Sequence, residues 1–209
     1  GFRTVDAEPR GIVVGITGGT GCGKTTALKA FEIGCNGLIM DCDRIYHELL
    51  MQDKSLLEAI ENRFPGCVED NKLNRKKLAG IVFSDPIALQ DLNAITHGAV
   101  KKEVLRRLKN APGGVPLAID AIELFDGGLA EVCDVTVAIT SPEDCRIGRL
   151  TQRDHITEEQ AAMRISSQKK QAYFAEKCDY VSYPHAVYLL SRMRRLGIFP
   201  CKGFGNCRF

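Results

Sequence analysis

The sequence predicts an α/β fold built on a parallel sheet, and three observations carry that expectation. Gly11 to Thr17 (GIVVGIT) is a short, β-branched apolar run, the composition of a strand buried on both faces. Two runs of the same kind, Val115 to Ala121 (VPLAIDA) and Val135 to Thr140 (VTVAIT), lie downstream. Around them the apolar spacing is helical, and strands that alternate with helices pair in parallel through right-handed crossovers.

The elements follow in order. After the first strand, GGTGCGKTT leads into Thr25 to Ile33, where Leu28 and Phe31 stand at helical spacing and Gly34 at the expected stop. Leu38 to Met40 reads as a second strand, ended by Asp41-Cys42-Asp43, and helical spacing resumes at Ile45, Leu49 and Leu50. Asp85-Pro86 puts a capping carboxylate before a proline at the first helical position, opening a long helix to about Lys109. Ser141-Pro142-Glu143-Asp144 supplies cap, first-position proline and first-turn acids for another helix, and Thr157 with Gln160 makes a capping box for the next.

At 209 residues the chain can bury a substantial core, and 44% hydrophobic with 26% charged residues excludes disorder and collagen-like repeats. No run approaches the roughly 18 to 20 apolar residues of a membrane helix, and GFRTVDAEPRG lacks the apolar block of a secretory leader, so a cytoplasmic protein is expected. The nine cysteines are odd in number and contain no CxxC, and Cys22, Cys42 and Cys133 sit in segments that read as regular structure. They are expected to be reduced thiols. Formal net charge is +2, but Ser182 to Phe209 holds five basic residues and no acid, which leaves −3 on the rest. That body is not a nucleic-acid binder of the usual kind. The expected partner is a small molecule, with no nucleic acid, no membrane, and a monomeric state favoured.

Gly18 to Thr25 (GGTGCGKT) satisfies GxxxxGK[ST], a match that arises by chance in a chain this long on the order of one per cent of the time. Its context is also right, with a buried strand before and a helix after. Glycines at positions 18, 21 and 23 allow successive N–H groups to wrap an anion, and the helix beginning near Lys24 adds its positive dipole end. The expected nucleotide contacts are Gly19, Thr20, Gly21, Cys22, Gly23, Lys24, Thr25 and Thr26. Lys24 should reach the β and γ phosphates of ATP, and the Thr25 hydroxyl should hold Mg²⁺. The expected fold class is therefore a P-loop NTPase-like three-layer sandwich.

Within that class, Asn71-Lys72-Leu73-Asn74 lacks the aspartate of a guanine-reading NKxD, and neither DxxG nor a transporter-ATPase signature occurs. A kinase for a small acceptor remains. Phosphoryl transfer to a hydroxyl needs a carboxylate near the transfer line, and strand ends are where ligands collect in an open parallel sheet. Asp41 and Asp43 end the second strand; such a pair is about as often a helix cap as a catalytic pair, and Asp43 reads as the cap. Asp120 ends VPLAIDA in the position of a Walker B acid, a second metal ligand, or else caps a loop.

These motifs together resemble the dephospho-CoA kinase family. GITGGTGCGKTT is similar to its phosphate loop, DCDRIYHELL to its Asp-x-Asp segment, LNRKKLAGIVFSDPIALQDLNAITHGAV to its acceptor-domain stretch, AIDAIELFDGGL to the strand and loop near DAPLLFE-x-GL, and RLTQRDHITEEQAAMRISSQ to its lid. The likeness spans roughly residues 11 to 181. It implies transfer of a phosphoryl group from ATP to the ribose 3′-hydroxyl of dephospho-CoA, giving CoA. It also implies a single domain with a nucleotide core (about 11–41 and 115–140), a helical acceptor-binding insertion (about 42–110), a lid (about 141–175) and an atypical tail (182–209). By resemblance Asp41 matches the family's base. A kinase for a nucleoside or other small alcohol, and a nucleotide-binding protein whose catalysis is impaired by its altered end, stay open as alternatives.

Arg146, Arg149 and Arg153 fall at i, i+3 and i+7, so they share a helix face and could converge on phosphates, a task suited to planar guanidinium groups. Such a triple is by itself more often a solvated helix face; the family resemblance implies that Arg149 is catalytic and Arg153 binds nucleotide, with Arg164 and Gln168, one turn apart on the next helix, as further candidates. For the acceptor, Arg75, His97 and Asp126 are expected to bind substrate. Lys76, Lys77, Lys101, Lys102, Arg106 and Arg107 offer further cations, most of them ordinary surface charge. The chain departs from the family at Asp126, where Glu is usual; at Ile122-Glu123, where Pro-Leu is usual; and after Val181, where Ile-Asp-Asn-x-Gly is missing and Pro184 should end pairing. Ala186, Leu189, Leu190 and Met193 have the spacing of a short docked helix; the abrupt loss of acids and of the family pattern after Val181 is expected from a frameshift or similar break that replaced the native end, with a natural extension as the competing reading.

Overall fold

The computed structural model describes residues 10–184, which divide into two units. In chain order the elements begin with β1 (Val13–Thr17), α1 (Lys24–Cys35), β2 (Leu38–Asp41), α2 (Cys42–Gln52), α3 (Lys54–Arg63), β3 (Val68–Glu69), β4 (Lys72–Leu73) and α4 (Arg75–Val82). They continue with α5 (Pro86–Lys109), β5 (Leu117–Asp120), β6 (Val135–Ile139), α6 (Glu143–Asp154), α7 (Glu158–Ser166), α8 (Gln171–Lys177) and β7 (Tyr180–Ser182).

Among the described residues, the first unit takes 10–39, 112–122 and 132–184. Its sheet has the order β2-β5-β1-β6-β7, with β1 parallel to both β5 and β6, and β6 parallel to β7. All five residues of β1 and of β6 are buried, which is why these runs are mostly apolar rather than alternating, with the hydroxyls of Thr17 and Thr136 hydrogen-bonded. Against them α1 packs Ala27, Leu28 and Phe31, forming a core with Val14, Ile16, Val137 and Ile139. Truncating a fully buried aromatic such as Phe31 costs about 3–5 kcal/mol in a core of this kind. A smaller cluster, Leu150, Ala161 and Ile165, joins α6 to α7. β7 is docked by Asp179, whose Oδ2 accepts from the Thr136 N–H and hydroxyl at 2.7 Å each.

The second unit, Met40–Ala111 with Glu123–Glu131, is helical apart from the β3-β4 hairpin, whose turn residues Asp70 and Asn71 have φ of 50° and 59°. Leu56, Leu57, Ile60, Phe64, Leu78, Val82 and Ala88 form its core. Asp85 accepts from the Ile87 N–H and Pro86 opens α5, as the Asp-Pro signal predicts.

Several local expectations are corrected. The first helix runs through Gly34 to Cys35 and stops at Asn36, whose left-handed φ of 49° does the work expected of the glycine. Asp41, not Asp43, caps α2: its extended backbone leads into the helix and its Oδ1 accepts from the Arg44 N–H at 3.0 Å. Pro142, not Ser141, is the N-cap of α6, with no side-chain cap, because the Ser141 hydroxyl is taken by Arg149. Cys22 lies in the glycine loop and Cys133 in the connection before β6, not in regular elements; all seven cysteines among the described residues are free thiols. The strand at Tyr180 ends at Ser182, two residues before Pro184. The helical spacing at Ala186 to Met193 lies outside the described residues.

Candidate active site

The glycine loop leaves β1 at Thr17 and enters α1 at Lys24, with positive φ at Gly18, Gly21 and Gly23. Gly23, the N-cap of α1, has φ 95°, and a Cβ there would lie 2.5 Å from Pro184 Cβ, so both conformation and space require glycine. The loop carbonyls are turned to internal donors. Gly18 O accepts from Lys24 Nζ at 2.8 Å, Gly19 O from Cys22 N at 3.4 Å, Thr20 O from Arg146 Nε at 2.9 Å and Gly21 O from Arg149 Nη1 at 2.9 Å. A carbonyl oxygen facing a phosphate would repel it, so engaging four consecutive carbonyls favours a loop that presents N–H groups to an anion. At the start of α1, Thr26 N and Ala27 N bond back to Gly23 O, leaving Lys24 and Thr25 in the first turn, where the helix dipole is positive.

Asp120 ends β5 opposite Ile16 in register, and Thr17 Oγ1 donates to Ile122 O at 3.2 Å, so this carboxylate stands one strand away from the root of the loop. No group of three or more His, Cys, Asp and Glu that could hold a metal occurs among the described residues. A hydroxyl and one carboxylate beside a phosphate cradle nevertheless fit Mg²⁺, which takes few protein ligands and completes its shell with phosphate oxygens and water.

The dephospho-CoA kinase family model matches residues 12–182. The chain belongs to the dephospho-CoA kinase family. It is 35% identical to the dephospho-CoA kinase of Lactobacillus acidophilus over 173 residues, covering 81% of this chain and 86% of that one. Among solved structures it resembles a Thermus thermophilus protein with a TM-score of 0.74 and 23% identity, over 93% of this chain and 100% of that one. It also resembles the Campylobacter jejuni dephospho-CoA kinase, with a TM-score of 0.57 and 23% identity, over 88% and 95%. These two likenesses show a shared fold, and the parallel five-stranded sheet flanked by helices is the α/β class that the sequence predicts.

In this dephospho-CoA kinase family member the three arginines of α6 part company. Arg146 is buried and Arg149 exposed, and both reach the loop. Arg153 instead lies against Asp154, at 2.7 and 3.0 Å, and Asp154 also accepts from Arg164 at 2.6 Å. That arrangement holds the Asp154 carboxyl below its ordinary value, chiefly through the Arg153 hydrogen bond. Gln168, past the end of α7, accepts from Thr20 N at 2.8 Å, a contact that no local spacing announces.

The acceptor candidates are spread through the second unit. Asp41 is exposed, its carboxylate steered by the Arg44 N–H. Arg75 opens α4, bonds His47 at 3.1 Å and borders a cavity of about 400 Å³ with Leu50, Met51, Asn71, Lys72 and Leu73. His97 and Asp126 do not line that cavity; His97, on α5, lies beside Gly127, its Cγ 3.9 Å from where a Cβ would stand there. Asp126 is exposed in the turns before that glycine. Arg106 and Arg107 are occupied by Glu103 and Glu48 at 2.6–2.7 Å, and Lys101 by Glu131 at 2.7 Å, so these cations serve the scaffold.

Proposed function

We propose that this chain is a kinase that transfers the γ-phosphoryl group of ATP to the ribose 3′-hydroxyl of dephospho-CoA, giving coenzyme A. The observation that carries this reading is the Gly18 to Thr25 loop, its carbonyls turned to internal donors, in a chain that belongs to this family.

In this reading Gly19 to Thr26 bind the triphosphate, and Lys24, a compact point charge on a flexible stem, moves from Gly18 O to the β and γ phosphates. Thr25 and Asp120 would hold Mg²⁺, which when bound neutralises charge on the phosphate oxygens. Asp41 accepts the proton of the attacking hydroxyl, its orientation set by Arg44 N–H. Arg149 neutralises charge on the transferring group, and Arg153 contacts nucleotide after leaving Asp154. Arg75, His97 and Asp126 bind the acceptor. The insertion at about 42–110 holds dephospho-CoA, and about 141–175 closes as a lid. A cytoplasmic setting is supported by the free cysteines. The chain acts as a monomer, which sedimentation at working concentration tests.

Purified protein given labelled ATP and, in parallel, dephospho-CoA, nucleosides and other small alcohols should label dephospho-CoA at the 3′ position far faster than the rest. Preference for a nucleoside would reassign the substrate. ATP binding with no product from any acceptor would identify a binding protein instead.

A further inference from the structure

The guanidinium of Arg146 stands out among the charged groups. The residue is only 3% exposed, and none of the described carboxylates forms a salt bridge with it, although arginine stays charged at any ordinary pH. Its Nε donates to Thr20 O at 2.9 Å, while its Nη2 is buried without a hydrogen-bond partner among the described residues. A Cβ on Gly19 would sit 2.6 Å from that Nη2 and 3.3 Å from Gln168 Oε1. From the other side, Gln168 Oε1 accepts from the N–H of the same residue, Thr20, at 2.8 Å. A lone buried charge is costly unless something offsets it, and the segment it touches is the one that would carry a triphosphate.

We infer that Arg146 and Gln168 are positioning residues that clamp both backbone polar groups of Thr20, holding the outer arm of the phosphate loop in its anion-receptive shape and tying it to the α6–α7 segment. Neither residue need touch nucleotide. Arg146 turns the Thr20 carbonyl away from the cradle and Gln168 fixes the adjoining N–H, so the loop is ordered before phosphate arrives. The inference rests on the nucleotide-binding reading of the loop. It predicts an effect confined to ligands that load the loop with phosphate.

The test compares Mg·ATP with adenosine, which has no phosphate, on the full chain carrying Arg146→Met, Gln168→Met or both; Met keeps an apolar stem of similar length without the polar group. Each single variant should weaken Mg·ATP binding by about tenfold, the scale of one hydrogen bond to a charged or strongly oriented group. Adenosine affinity should stay within about twofold, KM for ATP should rise with kcat little changed, and the double variant should lose less than the two singles combined. Arg146→Lys, which keeps the charge but not the directed Nε–H, should recover only part of the loss. Unchanged ATP affinity in both folded single variants, or equal loss for ATP and adenosine, overturns the inference. Should Arg146→Met fail to fold, Gln168→Met alone decides it by the same comparison. Wild type that binds no ATP overturns the functional reading, and this inference with it.

Discussion

Asp41 caps α2 and, in the function proposed above, also takes the proton of the acceptor hydroxyl; substitution separates the two tasks. Its Oδ1 caps α2 through Arg44 N, a task that asparagine performs equally well, while only a carboxylate can take a proton from the acceptor hydroxyl. Asp41→Asn should therefore lower kcat by about 10²-fold or more with Tm and ATP affinity unchanged. Asp41→Ala should show the same kinetic loss and, in addition, lose about 1 kcal/mol of stability. Wild-type turnover by the asparagine variant removes Asp41 from the reaction. Two thiols carry no such chemistry at neutral pH: burial pushes Cys133 up to about 12 and Cys178 up to about 11, so both stay protonated and weakly nucleophilic.

What could be read from the sequence at the level of whole elements was whatever is decided within a turn of chain. The capping box of α7 is an example: Thr157 Oγ1 accepts from Gln160 N at 3.3 Å and Gln160 Oε1 accepts from Thr157 N at 3.1 Å, three residues apart. Thr157→Ala should lower the stability of the chain by about 1 kcal/mol, seen as a Tm lower by roughly 2–4 °C. Calorimetry showing no change would mean that the α6–α7 core of Leu150, Ala161 and Ile165 holds α7 without the cap. The phosphate loop was legible for the same reason, since its glycines answer to local backbone geometry. Ser141 was misread because Arg149, eight residues on, takes its hydroxyl. Choosing between Asp41 and Asp43 needed the extended φ and ψ of Asp41, which two nearby acids do not disclose. The short helices α3, α4 and α8 and the β3-β4 hairpin went unread, although Asp70-Asn71 carries the turn chemistry for the last. Gln168 and Arg146 meet Thr20 across more than a hundred residues, beyond the reach of any periodicity.

At the scale of the molecule, a chain of linked ion pairs in the second unit sets how acid acts on it. Arg146 and Arg149 end on backbone carbonyls of the nucleotide loop, whereas this chain runs through carboxylates, from Arg44 through Glu48 and Arg107 to Glu103 and Arg106. Glu103 sits at its centre, its carboxyl lowered from 4.5 to about 2, first by the Arg106 hydrogen bond and then by that of Arg107, against the opposing effect of burial. A carboxyl depressed in the folded state contributes stability in full above its unfolded value and loses it as pH falls. Here the window opens near 4.5 and closes near 2, and Glu48, lowered chiefly by its hydrogen bond to Arg107, adds in the same direction. Thermal melts of the full chain should show Tm falling across that window. Glu103→Gln should melt lower than wild type at neutral pH, because Arg106 loses its anion and Arg107 one of its two, and should lose less on going to acid, because one titrating group has gone. Parallel pH profiles for the two proteins would show that the acid sensitivity arises elsewhere in the fold.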